Sequence, residues 1–166
     1  MNFLIVFGAQ YLYLVIVLTS IVYIYRQPRE QQKKIILCAV IALPVTYLVA
    51  KIAGLFYYDA RPFIVENFTP LLSHANDNGF PSDHTLLSSA IATVIFIFNR
   101  KVGVALIVIA FLVGMARVFA GIHHLTDIFG SIIIAIIVTY IVFEYIFPEV
   151  WEKFSQKYLK APSSFN

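Results

Sequence analysis

Long apolar runs, interrupted at wide intervals by short polar clusters, organise this chain. Phe3 to Tyr25 carries no formal charge and stops at Arg26, and Ile35 to Tyr58 carries one, Lys51. Thr85–Phe98, Val102–Ala116 and Ile128–Phe147 follow. A bilayer span takes about 20 apolar residues at 1.5 Å rise each. The first, second and fifth runs reach that length alone; the third and fourth reach it with their polar flanks. The pattern predicts an all-α integral membrane protein, a bundle of about five transmembrane helices plus a short interfacial segment. The expected spans are 3–25, 35–58, 82–99, 101–120 and 127–147, in one membrane-embedded domain over 1–166 with a tail from 148. Pro44 falls inside span two, where neighbouring helices tolerate a kink. The first run lacks a basic leader and a small-residue cleavage site, so it reads as a retained span.

Composition supports this reading. Of 166 residues 60% are hydrophobic and 13% charged, where a soluble domain carries about a quarter charged residues. Cys38 is the only cysteine and lies in a predicted span, so no intrachain disulfide is available and packing is its expected role. Nothing suggests a nucleic-acid partner; the bilayer and a lipid are the partners expected.

The twelve Lys and Arg divide unevenly. Arg26, Arg29, Lys33 and Lys34 join spans one and two, Arg100 and Lys101 join spans three and four, and Lys153, Lys157 and Lys160 follow span five. Basic loops stay in the cytoplasm, which puts the N-terminus outside and the C-terminus inside. The outer side keeps Lys51, Arg61 and Arg117 with all four histidines, His74, His84, His123 and His124. That side is predicted to gather negative charge. The bland alternative has Lys51 snorkelling and the arginines paired with Asp59 and Asp127.

Two polar clusters carry the chemistry. His123 and Asp127 lie four residues apart, close enough on one helix face for the carboxylate to fix the imidazole tautomer and free the other nitrogen. Arg117 supplies a planar fork suited to phosphate oxygens. The second cluster, Pro81-Ser82-Asp83-His84, opens span three. Ser82 or Asp83 suits an N-cap, the helix N-terminus favours an anion, and His84 can pass a proton. Asp83 is expected to cap, since a carboxylate would repel phosphate. Between Asp59 and Pro81 runs the one long connection, with Asn76-Asp77-Asn78-Gly79 as a turn. Past Pro148, Trp151, Phe154 and Tyr158 recur at helical spacing among lysines, fitting an interfacial helix or a frayed tail.

Together these residues resemble the type 2 phosphatidic acid phosphatase superfamily of membrane lipid phosphatases. Its three motifs read here as Lys51…Arg61-Pro62, Pro81-Ser82-Asp83-His84 and Arg117…His123…Asp127. The Pro-Ser-Asp-His-Thr form of the second is similar to that of bacterial BcrC-type undecaprenyl-diphosphate phosphatases. The resemblance implies His123 as nucleophile forming a phosphohistidine, oriented by Asp127, with His84 as general acid. It implies Arg61, Ser82, Arg117 and Lys51 as phosphate holders, and no metal or other cofactor. The family lysine usually stands seven residues before the arginine, where this chain has Gly54; Lys51 is three residues earlier. Undecaprenyl diphosphate is the expected substrate. Phosphatidylglycerophosphate, phosphatidate or lipid A phosphate are the alternatives, and a non-catalytic lipid-phosphate binder or transporter is the reading from another class. A metal site from His84, His123, His124 and Asp127 lacks the paired histidine spacing of zinc enzymes.

Overall fold

The computed structural model describes residues 2–158, and among them regular structure is helical with a single isolated bridge, Ala60 to Asn78. The helices are α1 (Asn2–Tyr25), α2 (Arg29–Phe56), the one-turn α3 (Pro62–Val65), α4 (Asp83–Phe98), α5 (Arg100–Phe119), α6 (Leu125–Ile141) and α7 (Phe147–Tyr158). Helices α1, α2 and α5, and the continuous run from Leu125 to Tyr158, are long and apolar enough to cross a membrane. Their outer faces expose large apolar side chains such as Leu18, Val40, Leu48, Val108 and Ile137, as a lipid-facing belt requires.

The third predicted span differs from the others. Helix α4 has 16 residues, about 24 Å of axis and short of the roughly 30 Å hydrocarbon thickness. It does not need that length, because α1, α2, α5 and α6 all pack around it. Its buried positions include Ser88, Ser89, Ala90, Ala92 and Thr93, small side chains that let helices approach closely where no hydrophobic effect drives them together. Gly114 of α5 serves the same contact: a Cβ there would run into the Ile128 side chain of α6 and crowd Thr85 of α4.

The fifth helix is longer than the predicted 127–147. A π-turn over Val142–Ile146, closed by the Phe147 N–H to the Val142 carbonyl, carries it past Pro148, which has no N–H to give. The tail expected from 148 is helical through Tyr158. Phe147, Trp151, Phe154 and Tyr158 follow one another ring to ring at 6.2, 5.9 and 5.1 Å, and Lys34 Nζ lies 5.1 Å over the Trp151 ring. Lys160 lies outside the described residues. This end of the bundle therefore collects the basic loops. The opposite end collects the C-terminus of α2, the N-terminus of α4, the C-terminus of α5 and the N-terminus of α6, closed over by residues 59–81.

Candidate active site

His123 sits between α5 and α6, and the start of α6 positions it. His124 occupies the N-cap of that helix. Asp127, three residues on, turns its carboxylate back, as acidic residues at this position do. Its Oδ2 accepts the backbone N–H of His124 at 2.9 Å and lies 3.1 Å from His123 Nδ1. The predicted pair is present, but helix capping rather than a shared helix face creates it. Both side chains are buried, Asp127 at 0% and His123 at 2% exposure.

With Nδ1–H directed to the carboxylate, His123 Nε2 carries the lone pair, and it faces Arg61 Nη1 at 3.1 Å. Burial first, then the positive charges of Arg117 and Arg61, pushes the His123 pKa down to about 2. The imidazole is neutral at physiological pH, the form a nucleophile or base requires. His124 is turned elsewhere: its Nδ1 lies 3.0 Å from Asp59 Oδ1. The choice between two adjacent histidines is thus resolved by packing in favour of His123 as the residue Asp127 orients.

The cations converge on the same space. Arg61 is 4% exposed and also donates to the Ile122 carbonyl at 2.8 Å and to Asp77 Oδ1 at 2.8 Å. Arg117 is 5% exposed; its Nη1 donates to the Ala9 carbonyl of α1 at 3.0 Å, while its Nε is buried without a partner. A buried guanidinium with an unused donor is equipped to bind an anion. Both arginines, His84, His123 and Lys51 line one cavity of about 360 Å³. The His84 ring stands edge-on to Tyr13 of α1, centroids 4.9 Å apart.

Lys51 reaches the rim of that cavity and pairs with Asp83, Nζ to Oδ1 3.0 Å. Asp83 therefore engages a cation instead of capping α4, which corrects the expectation that it caps. Ser82 holds the N-cap position without a side-chain cap bond; its hydroxyl is fully buried and accepts from Thr85 Oγ1 at 3.1 Å. Its hydroxyl is thus engaged inside the bundle, and Ser82, expected among the phosphate holders, does not line the cavity. Gly54, where the resemblance would put a lysine, lies under the loop: a Cβ there would meet the Phe80 carbonyl oxygen at 3.0 Å. One turn earlier on α2, Lys51 is clear of that contact.

Three groups at the site are visible only in three dimensions. Asp77 holds Arg61, and His74 lies 6.2 Å from the His123 ring, its pKa lowered by burial and by Arg61. Asn78 ties the loop down: its amide donates to the Gly54 and Tyr57 carbonyls, each at 2.9 Å, and its Oδ1 accepts from Asp59 and Phe80 N–H. The Asn-Asp-Asn-Gly run signals a turn, and nothing in its spacing shows which residues that turn will meet.

A neutral, oriented imidazole facing one buried guanidinium, with a second lining the same cavity at one end of a membrane bundle, defines a membrane enzyme for phosphorylated lipids. The chain belongs to the PAP2 superfamily, whose model it matches over residues 33–151, and it is a lipid phosphatase. It is 32% identical over 144 residues to the bacitracin transport permease protein BcrC of Bacillus licheniformis, covering 86% of this chain and 70% of that one. It is likewise 32% identical over 133 residues to the undecaprenyl-diphosphatase BcrC of Bacillus subtilis, covering 75% and 67%. The crystal structure of Aquifex aeolicus LpxE superposes with a TM-score of 0.68 at 27% identity, over 87% of this chain and 88% of that one.

Proposed function

We propose that this protein hydrolyses the terminal phosphate of a lipid diphosphate, undecaprenyl diphosphate, through a phosphohistidine on His123, at the outer face of a bacterial cytoplasmic membrane. The observation that carries the reading is the His123 ring, fixed by Asp127 at Nδ1 and presenting Nε2 to the cavity beside Arg61. The name of the Bacillus subtilis relative, an undecaprenyl-diphosphatase, favours a diphosphate over a monoester substrate. An apolar crevice of about 180 Å³ between α2 and α4, lined by Leu43, Tyr47, Leu86 and Leu87, meets the polar cavity at Asp83 and offers room for part of the chain. The basic end of the bundle belongs in the cytoplasm, which turns the site outward.

In this scheme His123 Nε2 bonds to the terminal phosphorus as the bond from that phosphorus to the bridging oxygen breaks. The electron pair leaves on that oxygen, which takes a proton from His84. Neutral His84 then takes a proton from water, whose oxygen bonds to phosphorus as the N–P bond breaks. Inorganic phosphate leaves and both histidines return to their starting states. Arg61 and Arg117 neutralise the equatorial oxygens, the main demand of phosphoryl transfer. Lys51 reaches the phosphate by exchanging Asp83 for it, and the α4 N-terminus at Ser82 adds its backbone dipole.

Phosphate release by the purified protein in detergent tests this. Undecaprenyl diphosphate is expected to give the highest kcat/KM in a panel with phosphatidylglycerophosphate, phosphatidate and lipid A 1-phosphate. Turnover is expected to survive chelator. Preference for another member of the panel would replace the substrate, and abolition by chelator would overturn the scheme.

A further inference from the structure

Beside the catalytic pair, and sharing Asp127 with it, lies a cluster that does not line the cavity and whose other two members, Asp59 and His124, the phosphatase scheme does not use. Asp59 leaves the end of α2, while His124 and Asp127 open α6. A ring nitrogen of His124 and one carboxylate oxygen from each aspartate lie within 4.8 Å of one another. The closest pair, His124 Nδ1 and Asp59 Oδ1, is 3.0 Å apart.

Two observations separate this cluster from an ordinary hydrogen-bonded corner. Asp127 is fully buried, yet its Oδ1 has no partner, and His124 Nδ1 is buried without a hydrogen bond of proper geometry. An orphaned carboxylate oxygen in the interior is costly unless something positive meets it. The outer oxygens are already held: Thr126 Oγ1 donates to Asp59 Oδ2 at 2.8 Å, and Asp127 Oδ2 takes the His124 N–H and faces His123 Nδ1. Such supporting bonds are what orient metal ligands. The side chains of Asp59 and His124 are 17% and 34% exposed, which leaves a path from solvent.

We infer that Asp59, His124 and Asp127 bind a divalent transition-metal ion of the zinc class, and that this ion restrains the phosphatase. One imidazole and two carboxylates suit zinc at bond lengths near 2.0–2.2 Å, with a fourth position left for water, whereas magnesium and calcium favour all-oxygen sites. The coupling runs through Asp127, which bridges the ion and His123. A cation on that carboxylate withdraws the charge that holds the His123 N–H and stabilises the developing phosphohistidine. The restraint rests on the phosphatase reading above; the binding does not.

The test uses the full chain in detergent, stripped with chelator, then titrated with zinc by calorimetry and with cobalt by visible absorption. One ion per chain is expected, with the cobalt spectrum of a low-coordinate nitrogen–oxygen site. Turnover should fall over the same zinc range. Asp59→Asn and His124→Gln, neither of which touches the reacting atoms, should keep metal-free turnover and weaken zinc binding at least about tenfold each. The inhibition midpoint should shift equally, which separates the site from zinc held by substrate phosphate. Absent stoichiometric uptake, or uptake unchanged in both variants, overturns the site. Binding without loss of turnover overturns the restraint. Calorimetry and the cobalt spectrum need no substrate, so an error in the lipid assignment leaves them standing.

Discussion

Replacing His123 with alanine is expected to lower kcat on the preferred lipid phosphate by at least about 10⁴-fold, because a covalent scheme without its nucleophile has no first step. KM should change far less, since Arg61 and Arg117 remain to bind the phosphate. The imidazole is 2% exposed, so a cavity is also created, and a thermal unfolding scan must show that the variant still folds. Losses of kcat and folding together would describe a structural residue. Loss of kcat in a folded protein that still binds the lipid is the expected result, measured by single-turnover phosphate release.

His84 gives the second large effect, with a signature of its own. His84→Asn removes the proton donor while keeping a polar side chain at the cavity. General acid catalysis of this kind is worth about 10²- to 10⁴-fold, and kcat/KM on the lipid diphosphate should fall by that amount. An aryl phosphate leaves without needing a proton, so for such a substrate the loss in kcat/KM should shrink to within about tenfold. Hydrolysis of the phosphohistidine still lacks its base, and a burst of one aryl alcohol per chain should appear. Equal losses on both substrates would contradict the role of His84 as acid. A merely structural residue would give equal losses.

The fold was legible in the spacing of charges along apolar runs, because a bilayer demands length and hydrophobicity that few other environments do. Helix α4 marks the limit of that signal. Packed among four neighbours, with Leu87 its one exposed large apolar side chain, it needs little of the length or the lipid-facing surface of a span, and its serines and threonines lower its apolar character. Pro148 marks another limit, for a π-turn carries the helix through a residue that normally ends one. At the site, Arg117, His123 and Asp127 could be read because all three fall in the short stretch where α5 ends and α6 begins. Lys51 and Asp83, 32 residues apart, could not be paired from spacing, and the pair removed Asp83 from its expected capping role. Asp77 and Asp59 escaped for the same reason. Their partners, Arg61 and His124, are brought to them by the fold of the 59–81 loop, and no period in the chain encodes that. Gly54 shows the reverse: the loop above it explains why a side chain at that position is disfavoured and the lysine stands a turn earlier.

The covalent role of His123 is the centre of this account, and isotope trapping tests it most directly. Undecaprenyl diphosphate labelled in its terminal phosphate, mixed with the protein and quenched in base within the first turnover, should leave label on the chain. That label should be stable to base, released by acid and confined on peptide mapping to His123, with none retained by His123→Ala. Label that persists in His123→Ala, or that is acid-stable and base-labile as a hydroxyl ester would be, contradicts it.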